Sequence, residues 1–272
     1  MIQAFATIAN FKIAIQDIQR DFPFLKDRKW LAENLEEKLT LLQSSLLRNE
    51  FTPESTEYFY FLYEKWLVKA KLSCPELIVE TALTNYLEQW FKASWTSNCF
   101  HQMQYSERLV ATCQQWKKNT KYVYKTDVKQ FFASIDHLRL INQVNQQIKE
   151  EQMVALLGRF LNSFDMAAQS FAKTEKNHPY HPQKGLPVGL RLSYFLASLF
   201  LHSVDQTMVQ QFPTIHYARY VDDIILFGPK SILTTASSTL NNLLAALGLQ
   251  ANLAKTTFQA TNEPITFLRT GL

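Results

Sequence analysis

His216-Tyr217-Ala218-Arg219-Tyr220-Val221-Asp222-Asp223-Ile224-Ile225-Leu226-Phe227-Gly228 is the stretch on which the fold of this chain turns. Two runs rich in β-branched and aromatic residues flank an adjacent pair of carboxylates, a pattern that predicts a hairpin with Asp222 and Asp223 at or near its tip. Asp is a common turn former, so an acidic tip carries little chemical meaning by itself. A third carboxylate changes that. Tyr122-Val123-Tyr124-Lys125-Thr126 reads as a strand closing on Asp127, and Phe131, Phe132 and Ile135 continue an apolar face beyond it. Asp136, directly before His137-Leu138-Arg139-Leu140, suits a helix N-cap and is given no metal role.

Carboxylates converging from separate strands suit divalent cations. Nucleotidyl transfer uses two such ions, one to lower the pKa of an attacking hydroxyl and one to neutralise departing pyrophosphate. Mg²⁺ takes hard oxygen ligands and keeps waters and phosphate oxygens in its octahedron, so two or three carboxylates suffice.

With these residues in place the chain resembles the reverse transcriptases, particularly the prokaryotic ones of retrons, group II introns, diversity-generating retroelements and abortive-infection systems. Asp127 with Phe131-Phe132 matches the family's first palm motif, and Tyr220-Val221-Asp222-Asp223 its Tyr-x-Asp-Asp motif. Lys184-Gly185-Leu186-Pro187-Val188-Gly189-Leu190-Arg191-Leu192-Ser193 resembles the Leu-Pro-x-Gly element before the long palm helix. Gly248 to Thr256 resembles the Asn-x-x-Lys-Thr element, and Phe267-Leu268 the start of the primer grip. Each element alone is weak; their common order from about Tyr122 to the end of the chain is not.

The resemblance implies an α+β fold: a right-hand polymerase palm, an antiparallel sheet with helices on one face, joined to a fingers subdomain. Residues 1–120 would form N-terminal helices and fingers, and 121–272 the palm, with 140–183 returning to the fingers. Asp127 and Asp222 would be the principal metal ligands, supported by Asp223 and the carbonyl of Val128, for two Mg²⁺ with Mn²⁺ able to substitute. Phe132 would press its ring against C2′ of the incoming nucleotide and exclude a 2′-hydroxyl, although core is the default for Phe. Gly189 would bring backbone close to that nucleotide, and Arg191 would meet a phosphate or a template base. Lys255 would act near pyrophosphate as a general acid, with a solvated strand-end Lys an equal reading. Tyr220, Ser193, Phe267 and Leu268 would lie on the template–primer side.

Upstream, Glu57 to Tyr63 and Leu67 to Ser73 read as two strands around Glu64-Lys65-Trp66, with Leu77 to Phe91 an apolar helix. This resembles the fingers hairpin over the triphosphate. Lys65, Lys69 and Lys71 stand where relatives carry a Lys and an Arg, and Lys lacks the bidentate fork of Arg. Val188 departs from the usual Gln; a small apolar residue there occurs in the diversity-generating and abortive-infection groups, and in the former accompanies relaxed fidelity. Further helices are expected at Met1 to Gln16, Lys29 to Leu47, Glu107 to Lys117, His137 to Lys149, Glu151 to Phe164, Leu192 to Val209 and Ser231 to Leu247.

The chain has 272 residues, 47% of them hydrophobic, enough for a sizeable core. A net charge of +4 is too mild to argue for nucleic-acid binding, which would depend on a local basic groove with aromatics for stacking. Three cysteines, Cys74, Cys99 and Cys113, show no Cys-x-x-Cys spacing and fit a reducing cytoplasm. His178-Pro179-Tyr180-His181 reads as a surface loop. No apolar run approaches a membrane span, and none of the sequence reads as a leader. The resemblance implies an RNA template, a DNA or RNA primer and deoxynucleotides as partners. With the chain ending at the primer grip, the thumb is expected to be absent, the duplex being held by a partner protein, a second copy, a structured RNA or only weakly, or else the chain is a truncated or decayed gene product. Phage defence is one expected role and a diversity-generating retroelement another. A non-catalytic RNA-binding scaffold is the rival from another class, and an RNA-dependent RNA polymerase is disfavoured by Phe132.

Overall fold

Short strands alternate with amphipathic helices along the sequence, and a computed structural model resolves them into two units. One comprises Met1–Ala93 with Asp136–Phe195, the other Ser94–Ile135 with Leu196–Leu272. The structure describes residues 1–21, 30, 31, 33–53, 57–63, 65–101, 105–174 and 181–272.

In the first unit, helices α1 (Ile2–Phe5), α2 (Ile8–Asp21), α3 (Leu35–Leu47) and α4 (Cys74–Phe91) share an apolar seam. Phe5 sits in it, with ring centroids 6.3 Å from Phe11 and 6.1 Å from Tyr86. The start of α4 is set by a capping box in which Ser73 and Glu76 satisfy each other's backbone N–H, with Pro75 in the first turn. That box carries the helix to Cys74, ahead of the expected Leu77. Strands β1 (Glu57–Tyr63) and β2 (Lys65–Lys71) form an antiparallel hairpin from Glu57↔Lys71 to Tyr63↔Lys65, so the second strand begins two residues earlier than the apolar run suggested. Helices α7 (His137–Ile148) and α8 (Glu151–Thr174) complete the unit. Asp136 caps α7 as its position predicts, Oδ1 accepting from the amide of Arg139 at 3.0 Å. Helix α8 runs past the expected end at Phe164.

The second unit is built on a five-stranded sheet in the order β3–β5–β6–β4–β7, where β3 is Cys99–Phe100, β4 Tyr122–Asp127, β5 His216–Tyr220, β6 Asp223–Gly228 and β7 Thr257–Ala260. All pairings are antiparallel except the short parallel β3–β5. Side chains alternate across the sheet. Val123, Ala218, Ile225 and Phe227 point to one face, where they pack with Leu109 and Cys113 of α5 (Ser106–Asn119) and with Ile265 and Phe267. Tyr217 and Arg219 point to the other face and reach Asp205 of α9 (Arg191–Gln211). Helix α10 (Lys230–Ala246) shares that face, with Lys230 Nζ 5.7 Å above the ring of Tyr122. The expected helical layer is therefore α9 and α10, and α5 adds apolar cover opposite. Short helix α6 (Phe131–Ser134) follows β4, and β8 (Thr266–Phe267) pairs with β9 (Thr270–Gly271).

Residues 94–120 belong with the sheet because β3 pairs with β5 and α5 buries Leu109 and Cys113 on it. Asp136–Phe195 falls in the first unit. No helix among the described residues is long and apolar enough to cross a membrane.

Candidate active site

The register of β4 against β6 ends at Asp127↔Asp223, and the β5–β6 register ends at Tyr220↔Asp223. Val221 and Asp222 therefore form a two-residue turn beside the last residue of β4. The amide of Val128 donates to the carbonyl of Asp222 at 3.2 Å, which fastens this turn to the end of β4. A second segment is laced to the same place. Asn252 N donates to Asp127 O and Lys129 N to Gln250 O, both at 2.8 Å, and the hydroxyls of Thr126 and Thr256 meet at 2.7 Å. The 3₁₀ turn Leu253–Lys255 is carried with them, and Lys255 Nζ donates to Asp127 Oδ2. Three stretches far apart in sequence thus assemble Asp127, Val128, Asp222, Asp223 and Lys255.

Charge is poorly balanced there. Burial, then Asp223, then Asp127 push the Asp222 carboxyl up to about 6. Burial and Asp127 also raise Asp223, opposed by Lys125 and Lys255. Lys255 is raised by its hydrogen bond to Asp127, against a smaller opposing effect of burial. Asp127 is 5% exposed, and its Oδ1 is buried with no hydrogen-bond partner among the described residues. A buried acceptor oxygen without a donor, beside two carboxylates that resist ionising, fits bound cations with oxygen preference. Among the described residues no three His, Cys, Asp or Glu side chains stand as a ready-made metal cluster, so the fit is one of charge and donor chemistry.

Phe131 is buried and Phe132 half-buried on α6, their rings edge to face at 5.7 Å. Tyr220 is half-buried against the Val123–Phe227 core, and Leu268 packs there too. Phe267 is 1% exposed and belongs to that core. Ser193 is likewise fully buried, in the first turn of α9. Gly189 is exposed with φ +102°, a conformation Gly adopts without strain, and a Cβ there would meet nothing within 4 Å. Arg191 is held by Asp17 of α2 at 3.4 Å, and Asp17 also accepts from Asn85 at 2.8 Å. Lys71 is exposed at the end of β2; the side chains of Lys65 and Lys69, and all of His178, lie outside what the structure describes, and His181 is exposed.

Two anchors of the Gly185–Arg191 loop went unread in the sequence. His137 Nε2 lies 2.7 Å from the carbonyl of Gly185 at one end. At the other, the amide of Leu192 donates to Glu80 Oε1 at 2.6 Å. Glu80 is fully buried, and burial raises its carboxyl to about 7 despite the bonds from Leu192 and Thr81. A lone acid within Leu77-Ile78-Val79-Glu80-Thr81-Ala82-Leu83 was the signal. Because the folded-state pKa lies above the ordinary 4.5, the folded protein binds the proton more tightly, and stability falls as pH rises from about 4.5 to about 7. Glu80→Gln keeps the acceptor without the charge. It should match wild type near pH 4.5 and exceed it by roughly 2–3 kcal/mol at pH 8 in urea unfolding; a difference independent of pH would show that the Glu80 carboxyl titrates alike in the folded and unfolded chain.

Antiparallel strands with acidic residues gathered at one end, backed by α9 and α10, define the palm of a right-hand polymerase. The chain belongs to the reverse transcriptase (RNA-dependent DNA polymerase) family, whose model matches residues 72–271. Among curated proteins it is similar to the group II intron-encoded protein LtrA of Lactococcus lactis subsp. cremoris, 24% identical over 180 residues, covering 64% of this chain and 29% of that protein. It is also similar to the putative COX1/OXI3 intron 2 protein of Saccharomyces cerevisiae, 27% identical over 104 residues, covering 38% of this chain and 11% of that one. The chain thus spans less than a third of the length of these relatives. Solved structures of telomerase share the fold: that from Candida tropicalis gives a TM-score of 0.56 at 12% identity over 79% of this chain and 52% of that one. Telomerase from Candida albicans gives 0.53 at 12% identity over 82% and 46%.

Proposed function

We propose that this chain is an RNA-directed DNA polymerase that adds deoxynucleotides to a primer 3′ end at Asp127, Asp222 and Asp223. The observation that carries this reading is the pairing of Asp127 with Asp223 at the end of β4 and β6, with Asp222 in the adjoining turn. Bound divalent cations, Mg²⁺ or Mn²⁺ in its place, would supply acidification of the attacking hydroxyl and neutralisation of the departing pyrophosphate. The three carboxylates, with the carbonyl of Val128, would hold them. Asp127 Oδ1, buried and without a donor among the described residues, is an acceptor such a cation would satisfy. Lys255 restrains Asp127 and carries a proton at a raised pKa, which suits it to neutralise phosphate charge rather than to act as a base. Phe132 would select against a 2′-hydroxyl.

RNA template, primer and deoxynucleoside triphosphates are the partners this reading requires. Val188 in the Gly185–Ser193 loop supports a place among abortive-infection or diversity-generating relatives, with phage defence the role we favour; a template repeat beside the gene would overturn that. Buried thiols at Cys74, Cys99 and Cys113 suit a reducing cytoplasm. The reading is tested on a heteropolymeric RNA template with an annealed DNA primer, four deoxynucleotides and Mg²⁺. Product complementary to the template, abolished by chelation, is expected. Binding of the template without extension in Mg²⁺ or Mn²⁺ would favour the scaffold.

A further inference from the structure

The turn that presents Asp222 is held from three directions within the second unit. Val221 N donates to Phe100 O at 2.9 Å, Val128 N to Asp222 O at 3.2 Å, and Arg219 Nη1 to Val221 O at 2.8 Å. Such tethering has a purpose. Val221 has φ +55°, a region that β-branched residues avoid and that two-residue hairpin turns normally fill with Gly or Asn. The sequence of the turn does not favour its own conformation, so the surroundings must impose it.

Arg219 is the tether with the most behind it. Its side chain is fully buried, as is that of Asp205. Asp205 Oδ1 accepts from Arg219 Nε at 2.8 Å and Oδ2 from Nη2 at 2.5 Å, while Nη2 also reaches Ser198 Oγ at 3.1 Å. Tyr217 OH donates to the same Asp205 Oδ1 at 2.8 Å. The bidentate pair leaves the planar guanidinium little freedom and directs Nη1 at the carbonyl of Val221. A buried ion pair is a weak device for stability alone, since apolar residues of similar volume often do as well. Geometric control of the turn is what such apolar residues could not provide.

We propose that Arg219, oriented by Asp205, is a positioning residue that keeps Val221 in its left-handed conformation and so fixes where Asp222 presents its carboxylate. This rests on the polymerase reading of the site, and the experiment separates the two. Arg219→Lys keeps the charge beside Asp205 and loses the fork. Arg219→Met/Asp205→Leu/Tyr217→Phe removes the ion pair and the Tyr217 hydroxyl together and leaves only the small Ser198 hydroxyl, which protects the fold. Each is measured for melting temperature, for hydrogen exchange of peptides spanning Tyr220–Asp223, and for the Mg²⁺ concentration giving half-maximal primer extension. Expected are exchange accelerated tenfold or more at the turn with the rest of the sheet unchanged, a Mg²⁺ midpoint raised about tenfold, and a deoxynucleotide KM within twofold of wild type. Adding Val221→Gly to Arg219→Lys, which lets the turn adopt positive φ unaided, should bring the midpoint back to within threefold of Val221→Gly alone.

A folded triple variant with unchanged turn exchange would overturn the proposal, as would a Mg²⁺ midpoint that Val221→Gly fails to restore. Failure of both variants to fold would assign the cluster to global stability and overturn it too. If wild type shows no extension, the polymerase reading fails, and turn exchange alone then decides the positioning role.

Discussion

Asp222→Asn is expected to reduce deoxynucleotide addition by at least about 10³-fold, the loss of charge stabilisation typical of a catalytic metal or oxyanion ligand. The same substitution should make the protein more stable in the presence of chelator. Asn keeps the volume and turn preference of Asp and removes only the charge. That charge is costly where it stands: burial, Asp223 and Asp127 together lift the carboxyl to about 6. At pH 7.5 the ionised form therefore destabilises the folded chain by roughly 1–3 kcal/mol, and Asn relieves most of it. A rise of a few degrees in melting temperature with loss of activity is the signature of a site kept strained for function. A mere turn former would give the opposite pair of results, activity retained and stability unchanged.

Phe132→Ala should open the sugar pocket. The ring is half-buried on α6, five residues beyond Asp127, braced edge to face by buried Phe131. Removing it should raise incorporation of ribonucleotides relative to deoxynucleotides by about 10- to 100-fold, the discrimination one apolar wall can supply against an added hydroxyl. Competition between dATP and ATP on one template reads the ratio directly. Phe131→Ala is the contrasting variant: it should lower stability by about 3–5 kcal/mol through a core cavity and leave the ratio where it was. Equal ratios in Phe132→Ala and wild type would return Phe132 to the core.

Much of the palm was legible because its chemistry and its periodicity coincide. Alternating apolar runs around Asp222–Asp223 gave β5 and β6, and a strand ending in an acid gave β4. Asp136 was readable as a cap because capping depends on neighbours in sequence. What stayed hidden depends on pairing across space. Nothing local says that Ser193 is buried or that Phe267 turns into the core beneath β4–β6. Arg191 looked available for phosphate, yet Asp17, far upstream on α2, engages it. Asp205 was visible only as the one acid of α9 and Glu80 as an acid within the apolar run Leu77–Leu83, a signal that a buried partner exists without saying which. The partners, Arg219 and the amide of Leu192, come from tertiary packing.

Primer extension on poly(rA)·oligo(dT) with dTTP and Mg²⁺, run side by side for wild type, Asp127→Asn and Asp222→Ala, tests the central claim most directly. Wild type should give a ladder of extended products that chelator abolishes, and both variants should give none. Ladders of equal intensity in all three proteins would contradict the assignment of these carboxylates, and a blank wild-type lane would contradict the polymerase itself.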